Sequence, residues 1–242
     1  LLKEKVSGVV VESDVVTGVR VKDKTYSAKL VVGADGFNGP VSRHVMGETQ
    51  QPKQNRKHYS SAVREYWEGI EGSEGQIEIH FIKGILPGYF WIFPLSDKRF
   101  NIGVGMLLAD MDNQPVKLKE MLDWVVNESF LAERFSDAKA IPNTRKGWML
   151  PMGSPRGLSL NPRKNFVKGC VLVGDSASLI DPFTGEGIGN ALVSGKLTAK
   201  YPVIDEVTGI EYQTELWEMI GEELTNSHRL QKMLKKRRLM NF

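Results

Sequence analysis

The stretch CVLVGDSASLIDPFTGEGIGN, residues 170–190, contains the pattern that decides the fold. It begins with an apolar run, Cys170 to Val173, of the kind that forms a strand buried on both faces. Gly174-Asp175 follows that strand, and a glycine-rich segment from Gly185 to Gly189 leads into a helix-compatible sequence. Because ligands of open α/β sheets bind at the carboxyl ends of the strands, the stretch predicts a ligand-binding strand–loop–helix unit.

The residue types in this unit suit a particular kind of ligand. The carboxylate of Asp175 can accept hydrogen bonds from sugar hydroxyls, and free N–H groups at the start of the helix can hold an anion or a carbonyl oxygen. In a flavin that oxygen belongs to the N1/O2 edge, where negative charge develops on reduction. The alternative is a helix whose entry loop is merely rich in glycine.

A second strand of the same type lies near the start of the chain. Leu30 to Val32 is apolar throughout, as in a strand of a parallel sheet, and it ends at Gly33-Ala34-Asp35-Gly36, with Ser42 and Arg43 following. Glycines there allow a backbone to approach a ligand closely. The alternative is an ordinary strand-to-turn exit with Asp35 as a cap.

The rest of the chain predicts strands and helices in three groups. Residues 6–12, 15–22 and 26–32 read as strands, and 58–67, 76–83, 89–95, 100–108 and 148–152 read as five more. Ile77, Ile79 and Phe81 alternate with Glu78, His80 and Ile82, which favours an antiparallel sheet with one covered face. Helices are predicted from Pro115, after Gly185 to about residue 200, and from about Tyr212. The apolar positions of the first and the last helix are Leu118, Met121, Leu122, Val125 and Val126, and Leu216, Ile220, Leu224, Leu230 and Leu234.

This order predicts an α/β fold, α+β overall, in which an antiparallel sheet domain is inserted into an α/β domain that ends in C-terminal helices. The expected domains are residues 1–49, 50–152, 153–200 and 201–242, the first and third forming one ligand-binding domain.

Composition excludes several classes of protein. The 242 residues carry a net charge of +3, too small to argue for nucleic acid as a partner. The single cysteine, Cys170, excludes a disulfide framework and is typical of a reducing compartment, so a cytoplasmic location is expected. The four histidines are scattered, so no metal site is expected. No GxSxG elbow supports hydrolase chemistry.

A third motif is aromatic. Tyr89-Phe90-Trp91-Ile92-Phe93-Pro94 is followed by Gly103-Val104-Gly105. Alternate residues of a strand share a face, so Tyr89, Trp91 and Phe93 are predicted to line one side of the sheet, where the glycines leave room for close approach. Such a wall suits a long apolar substrate. The alternative is that these rings belong to the core.

Together these motifs resemble a known family. Gly33–Gly36 resembles the second FAD motif of the p-hydroxybenzoate-hydroxylase-like flavoproteins, and Gly174-Asp175 with Pro-x-x-Gly-x-Gly resembles their third. The YxWxFP…GxG pattern, the segment 182–188 and Leu150-Pro151-Met152-Gly153 are similar to those of geranylgeranyl reductases, which saturate isoprenoid double bonds.

The resemblance implies an FAD-binding Rossmann-like domain and a substrate domain, residues 50–152. Asp175 would hold the ribityl or ribose part of FAD, the backbone of 185–188 would face the isoalloxazine, and Asp35 and Arg43 would support the pyrophosphate region or NAD(P)H. The implied cofactor-binding residues are Asp35, Gly36, Arg43, Gly174, Asp175, Pro182, Gly185, Glu186, Gly187 and Ile188. The implied substrate-binding residues are Tyr89, Trp91, Phe93, Pro94, Gly103 and Gly105.

One part of the family pattern is absent from the sequence. No GxGxxG turn, which binds the ADP pyrophosphate in this family, occurs anywhere in the chain. The expected FAD-binding domain is therefore incomplete, and an N-terminal βαβ unit is expected to be missing from the sequence as given.

The resemblance also implies an activity: hydride transfer from reduced flavin N5 to one carbon of an isoprenoid C=C bond, with a proton delivered to the other. Tyr89 is the candidate proton donor by location, and NAD(P)H or ferredoxin is the expected electron donor. The alternatives are an FAD-dependent monooxygenase or halogenase of the same fold, and a non-catalytic carrier of an isoprenoid lipid. A basic amphipathic tail, residues 232–240, favours either peripheral contact with a membrane or a solvated helix face. The sequence assigns no oligomeric state.

Overall fold

The computed structural model describes residues 3–47, 52–73, 75–155 and 164–234. They form two compact units, the first from the described residues of 1–58 and 150–232 and the second from those of 59–149 and 233–242. Each unit has its own hydrophobic core. The mixture of sheets and helices confirms the predicted α/β class.

The elements follow in chain order. The strands are β1 (Gly8–Glu12), β2 (Val15–Val21), β3 (Lys24–Ser27), β4 (Val31–Gly33), β5 (Tyr59–Glu68), β6 (Glu78–His80), β7 (Tyr89–Pro94), β8 (Arg99–Leu107), β9 (Lys139–Ala140), β10 (Lys146–Pro151), β11 (Phe166–Val167) and β12 (Cys170–Leu172). The helices are α1 (Pro40–Met46), α2 (Leu108–Met111), α3 (Leu118–Glu128), α4 (Ile188–Thr198) and α5 (Glu206–Leu234). Short 3₁₀ turns lie at Arg56–His58, Ala132–Phe135 and Gly174–Ala177.

The first unit contains two small sheets. Strands β1, β2 and β3 form an antiparallel meander, and β11, β12 and β4 form the other sheet, in which β12 and β4 run parallel. The core gathers Cys170, Val171 and Leu172 of β12, all fully buried, with α1, α4 and α5 around them. Tyr212 of α5 donates its hydroxyl hydrogen to the carbonyl of Leu172 at 2.9 Å. The predicted strand at residues 170–173 is thus the centre of this unit.

The prediction of a single strand at residues 26–32 is wrong. The segment divides into β3, which pairs with β2 antiparallel, and β4, which pairs with β12 parallel. The chain leaves the meander after Ala28, whose N–H reaches the carbonyl of Thr17, and joins the second sheet at Val31, whose N–H reaches the carbonyl of Gly169. The parallel pairing agrees with the apolar run, but Val32 is 43 % exposed, so β4 is not covered on both faces.

The second unit is built on one antiparallel sheet. Its strand order is β10-β5-β8-β7-β6, with β9 paired to β5. Helix α3 covers the buried side, and all five of the predicted apolar positions of that helix are buried. They pack with Phe90 and Ile92 of β7 and Ile102 and Val104 of β8, each 0 % exposed. The predicted helix and the one-sided sheet are confirmed.

Strand β6 faces the opposite way from the prediction. Ile77, Ile79 and Phe81 are 71 %, 43 % and 40 % exposed, whereas Glu78 and His80 are more enclosed. The reason is an ion pair: Glu78 Oε1 and Oε2 accept hydrogen bonds from Arg134 at 2.8 and 2.7 Å, and His80 Nε2 lies 2.8 Å from Glu78 Oε2. Pairing of the carboxylate turns the polar side of the strand inward and leaves the apolar side open.

Helix α5 departs from its prediction at two places. It begins at Glu206, before Tyr212, and its buried stripe ends on Gln231, while Leu230 is 47 % exposed. The basic residues from Lys235 onward lie outside the described residues. Within the described part of the chain, no helix combines the length and the apolar character needed to cross a bilayer.

Candidate functional site

The carboxylate of Asp35 caps helix α1. Its Oδ2 accepts the N–H of Val41 at 2.8 Å, and its Oδ1 accepts the N–H of Ser42 at 3.3 Å. Ser176, from the turn after β12, donates its Oγ hydrogen to Asp35 Oδ1 at 3.2 Å. Amides at a helix start lack a helical acceptor, and a carboxylate satisfies them. Asp35 therefore joins the ends of the parallel strands β4 and β12, as the capping alternative predicts.

Two further predicted cofactor-binding residues, Gly36 and Arg43, follow this end of β4, and the Gly36 carbonyl accepts the N–H of Gly39 at 3.2 Å. Gly36 adopts a left-handed backbone with φ of +73°, a conformation that favours glycine. Arg43 lies on α1 with an exposed side chain, which makes no hydrogen bond or ion pair with the residues that the structure describes. Their contact with a cofactor, like that of Asp35, stays a prediction.

Gly174 and Asp175 form the turn that follows β12. Gly174 has φ of +53°, and a Cβ there would lie 2.9 Å from the Cβ of Ala191 in α4, so only glycine lets the turn meet the helix. Its N–H donates to Ser194 Oγ at 3.0 Å. The Asp175 carboxylate is partly buried and accepts no hydrogen bond from any described residue. Burial raises the pKa of Asp175. A buried carboxylate without a partner is ready for a donor from outside the chain.

The loop from Asp181 to Gly187 is fixed by its own hydrogen bonds. Asp181 Oδ1 accepts the N–H groups of Phe183 and Thr184 at 2.9 and 2.8 Å, together with the hydroxyl of Thr184 at 3.0 Å. Gly185, with φ of +76°, donates its N–H to the Asp181 carbonyl at 3.0 Å. The Pro182 carbonyl accepts a hydrogen bond from the side chain of Gln231. These hydrogen bonds hold the loop in one conformation.

The start of α4 lies beside Asp175. A Cβ at Gly187 would be 3.3 Å from Asp175 Oδ1, so the glycine keeps this space open. Glu186 Oε1 accepts the N–H of Gly189 at 2.8 Å, and the first helical hydrogen bond runs from Ala191 to the Gly187 carbonyl at 2.9 Å. The N–H groups of Gly187 and Ile188 precede that bond and have no helical acceptor. Ile188 itself is 75 % exposed.

Sequence reasoning missed the side chains that hold this arrangement together. They are Ser176, Ser194 and Gln231, which bond to Asp35, Gly174 and Pro182. The burial of Gln231 could have been predicted from the sequence, because this residue lies two helical turns beyond Leu224 on the buried side of the helix. The hydrogen bonds of the two serines could not have been predicted, because their partners are distant in sequence.

In the second unit, the aromatic residues of β7 share one face of the sheet, as predicted. Ring centroids of Tyr89 and Trp91 are 6.1 Å apart and those of Trp91 and Phe93 are 5.9 Å apart. The alternate residues, Phe90 and Ile92, are fully buried on the other face. The three rings are partly exposed, so they are not the core of this unit. Pro94 ends the strand, opposite Phe100.

The space above Gly103 is occupied by Trp91. The two residues are directly paired across β7 and β8, and a Cβ at Gly103 would lie 2.2 Å from Trp91 Cζ2. A Cβ at Gly105 would lie 3.7 Å from Trp91 Cζ3. Trp91 Nε1 donates a hydrogen bond to Asn101 Oδ1 at 3.0 Å, which fixes the position of the ring. The predicted close approach at Gly103 is made by the indole of Trp91, and contact of Gly103 with a substrate stays a prediction.

Arg64, which sequence reasoning passed over, lies on this same face. It is paired with Gly103 on the side away from Trp91. Its Nη1 donates to the Thr144 carbonyl at 2.8 Å, and its guanidinium carbon is 4.4 Å from the centre of the Tyr66 ring. The central rows of this face are formed by residues of the segments 62–66, 101–105 and 89–93 and by residue 79. Among the described residues of these rows, Arg64 is the only cation.

Cys170 has no exposed surface, and burial raises the pKa of its thiol to about 12. It acts as a small apolar residue of the core, as predicted. Among the described residues, no group of three or more His, Cys, Asp or Glu side chains is placed to hold a metal ion.

Comparison with protein families adds an independent finding. Residues 58–144 match the family model described as the geranylgeranyl reductase catalytic domain. A digeranylgeranylglycerophospholipid reductase of Methanosarcina acetivorans is 31 % identical over 233 residues, which are 93 % of this chain and 53 % of that protein. One of the two such reductases of Methanococcoides burtonii is 26 % identical over 94 % of this chain and 54 % of its own length. The chain spans about half the length of the curated relatives that it matches.

Comparison with solved structures concerns the fold. A geranylgeranyl bacteriochlorophyll reductase-like protein of Thermoplasma acidophilum superposes with a TM-score of 0.72 at 23 % identity, covering 97 % of this chain and 57 % of that one. A flavin-dependent brominase superposes with a TM-score of 0.65 at 17 % identity, covering 90 % of this chain and 55 % of that one. These likenesses show that the chain shares the fold of both proteins.

Proposed function

We propose that the chain acts, as a member of the geranylgeranyl reductases whose family model matches residues 58–144, in the flavin-dependent reduction of C=C bonds in a prenyl lipid. The observation that carries the proposal is the open aromatic face of Tyr89, Trp91 and Phe93, which lies within the matched segment. Partly exposed rings in a row suit a long apolar chain. The relatives are named as reductases of a digeranylgeranyl lipid.

The residues of the first unit fit one end of a flavin. The partly buried carboxylate of Asp175 has no partner among the described residues, and the space beside it is kept open by Gly187. The N–H groups of Gly187 and Ile188 are free to bind a carbonyl oxygen that gains negative charge. We assign the hydroxyl-bearing chain of the cofactor to Asp175 and its carbonyl edge to these amides. The pyrophosphate is assigned to none of the described residues.

A reduced flavin, when bound, supplies the hydride that saturates an alkene. The chain's own contribution is to position the alkene, because an unactivated double bond accepts hydride poorly and effective concentration must provide much of the rate. The Trp91 indole, held by Asn101 and supported by Gly103, gives the prenyl chain a fixed surface to lie against. A fixed surface lowers the entropy lost when the alkene is aligned.

The experiment that tests the proposal combines the purified chain, FAD and dithionite with a digeranylgeranyl glycerophospholipid in the absence of oxygen. We expect mass spectrometry to find products that have gained two hydrogen atoms for each saturated bond, above a control with free reduced FAD. An oxygenated product formed with oxygen uptake would contradict the reductase and support a monooxygenase.

Flavin binding is tested separately at Asp175. Loss of a hydrogen bond to a charged group lowers affinity, so Asp175→Ala is expected to raise the Kd for FAD about tenfold or more in a calorimetric titration. Because burial raises the pKa of Asp175, the affinity should fall on acidification at a higher pH than an exposed aspartate would give. Asp23→Ala, in an exposed turn of the same unit, is the matched control. Equal affinities for the two variants would exclude this role of Asp175.

Tyr89 remains the candidate proton donor by its place on the aromatic face. Tyr89→Phe keeps the ring and removes only the hydroxyl, so turnover should fall while binding of the lipid is unchanged. Unchanged turnover would remove Tyr89 from the mechanism.

A further inference from the structure

Four residues form a straight row across the open face of the sheet. Arg64 of β5 is paired with Gly103 of β8, Gly103 with Trp91 of β7, and Trp91 with Ile79 of β6. Residues directly opposite each other in antiparallel strands point to the same face. The row crosses three gaps between strands and is therefore about 14 Å long.

The chemistry of the row changes from one end to the other. Arg64 places a positive charge at one end, Trp91 covers the middle, and Ile79, 43 % exposed, forms the other end. Phe81, 40 % exposed, extends the apolar end, and its ring lies 6.1 Å from that of Tyr89. Gly103 contributes no side chain, so nothing separates the cation from the indole along the row. The face is thus amphipathic along a single direction.

The guanidinium of Arg64 is held in place but not neutralised. The carbonyl of Thr144 and the ring of Tyr66 fix it, and no carboxylate of a described residue pairs with it. The adjacent Glu65 is bonded to Arg145 at 2.9 Å. A positioned guanidinium with spare N–H groups is the side chain best suited to bind the oxygens of a phosphate.

We propose that this row binds a prenyl amphiphile with an anionic phosphate head, the phosphate at Arg64 and the chain passing over Trp91 to Ile79. The inference rests on the proposed function, and it adds the residue that binds the phosphate of the lipid and the direction in which the lipid lies. Charge complementarity at one end and apolar surface at the other select such a molecule over a neutral prenyl alcohol or free phosphate.

The test compares two probes by calorimetry with the whole chain, each below its micelle concentration: geranylgeranyl phosphate and geranylgeraniol. We expect wild type to bind the phosphate about tenfold to a hundredfold more tightly than the alcohol. Arg64→Met should lose this preference and keep the affinity for the alcohol, which also shows that the variant is folded. Arg64→Lys should keep part of the preference, because it retains the charge without the planar fork. Arg20→Met, on an exposed position of β2, is the control and should behave as wild type.

Other outcomes decide against the proposal. Equal affinities of wild type for the two probes would overturn the head-group site and leave the proposed reduction standing, since that is judged by its product. Arg64→Met with an unchanged preference would move the phosphate elsewhere. Inorganic phosphate binding as tightly as geranylgeranyl phosphate would show a phosphate site that needs no prenyl chain. Ile79→Ser should weaken both probes by the same factor, and an unchanged affinity would remove β6 from the row.

Discussion

A single absent side chain shapes the aromatic face. A Cβ at Gly103 would lie 2.2 Å from Trp91 Cζ2 and 2.5 Å from the Val63 carbonyl oxygen, so Gly103→Ala must displace the ring or the strand. We expect the free energy of unfolding to fall by about 1–3 kcal/mol, measured by denaturant unfolding. At Gly105 a Cβ would meet nothing closer than 3.6 Å, and Gly105→Ala should change stability by less than about 1 kcal/mol. Equal losses would contradict this account.

Two aspartates show what a sequence can and cannot tell about single residues. Asp35 and Asp175 both follow an apolar run and stand next to glycine, and the resemblance to the flavoprotein family implies that both bind a cofactor. The structure gives the first carboxylate three donors from its own chain, whereas no described residue donates to the second. One of those donors, Ser176, is 141 residues away in sequence. The strand and turn could be predicted because their pattern is local in the sequence. The hydrogen bond from Ser176 could not, because the two residues are far apart in the sequence.

Among the elements, β6 was predicted correctly as a strand but on the wrong face. Alternation fixes which residues share a side, and a shift of one residue exchanges the two sides. The choice of side depended on Arg134, 56 residues further along, which binds Glu78. Helix α3, in contrast, was predicted with its buried positions, because its five apolar residues lie at local helical spacing.

The ion pair at β6 gives a prediction in acid. Hydrogen bonds from Arg134 hold the pKa of Glu78 at about 2, below its ordinary 4.5. A lowered pKa in the folded state stabilises the fold above about pH 4.5, and this stabilisation is lost as the pH falls towards 2. Wild type should therefore be more stable than Glu78→Gln at neutral pH, and the difference measured by thermal unfolding should shrink as the pH falls from about 4.5 to 2. Glu128→Gln, at an exposed site on α3, should follow wild type throughout. A difference that does not change with pH would contradict the prediction.

At the level of the whole molecule, the first unit is assembled from two distant segments. Strand β4 comes from one and β12 from the other, and their parallel pairing joins them. Two apolar runs, each ending in glycine, made this pairing predictable from the sequence. The separation of β3 from β4 was not, because residues 26–32 contain no proline or glycine to mark the break.

Each unit has a core of its own, and this makes their stabilities measurable one at a time. Leu122 is fully buried in the second unit, so Leu122→Ala should lower the unfolding free energy of that unit by about 2–5 kcal/mol. Faster hydrogen exchange of amides in residues 59–149 would report the loss. Leu192→Ala, at a site 70 % exposed on α4, removes the same atoms and should have little effect. Similar losses of unfolding free energy for the two variants would show that burial of the leucine does not determine the destabilisation.

The fluorescence of Trp91 can report ligand binding at the aromatic face. One side of the indole lies against Gly103, and its nitrogen is bonded to Asn101, so the ring has a defined environment before any ligand arrives. A molecule that settles on the row between Arg64 and Ile79 must change the polarity around that ring, and with it the wavelength and intensity of its emission. The difference between the spectra of wild type and Trp91→Phe separates this signal from those of the other tryptophans. Occupancy of the face can then be followed in real time, without a label and without turnover.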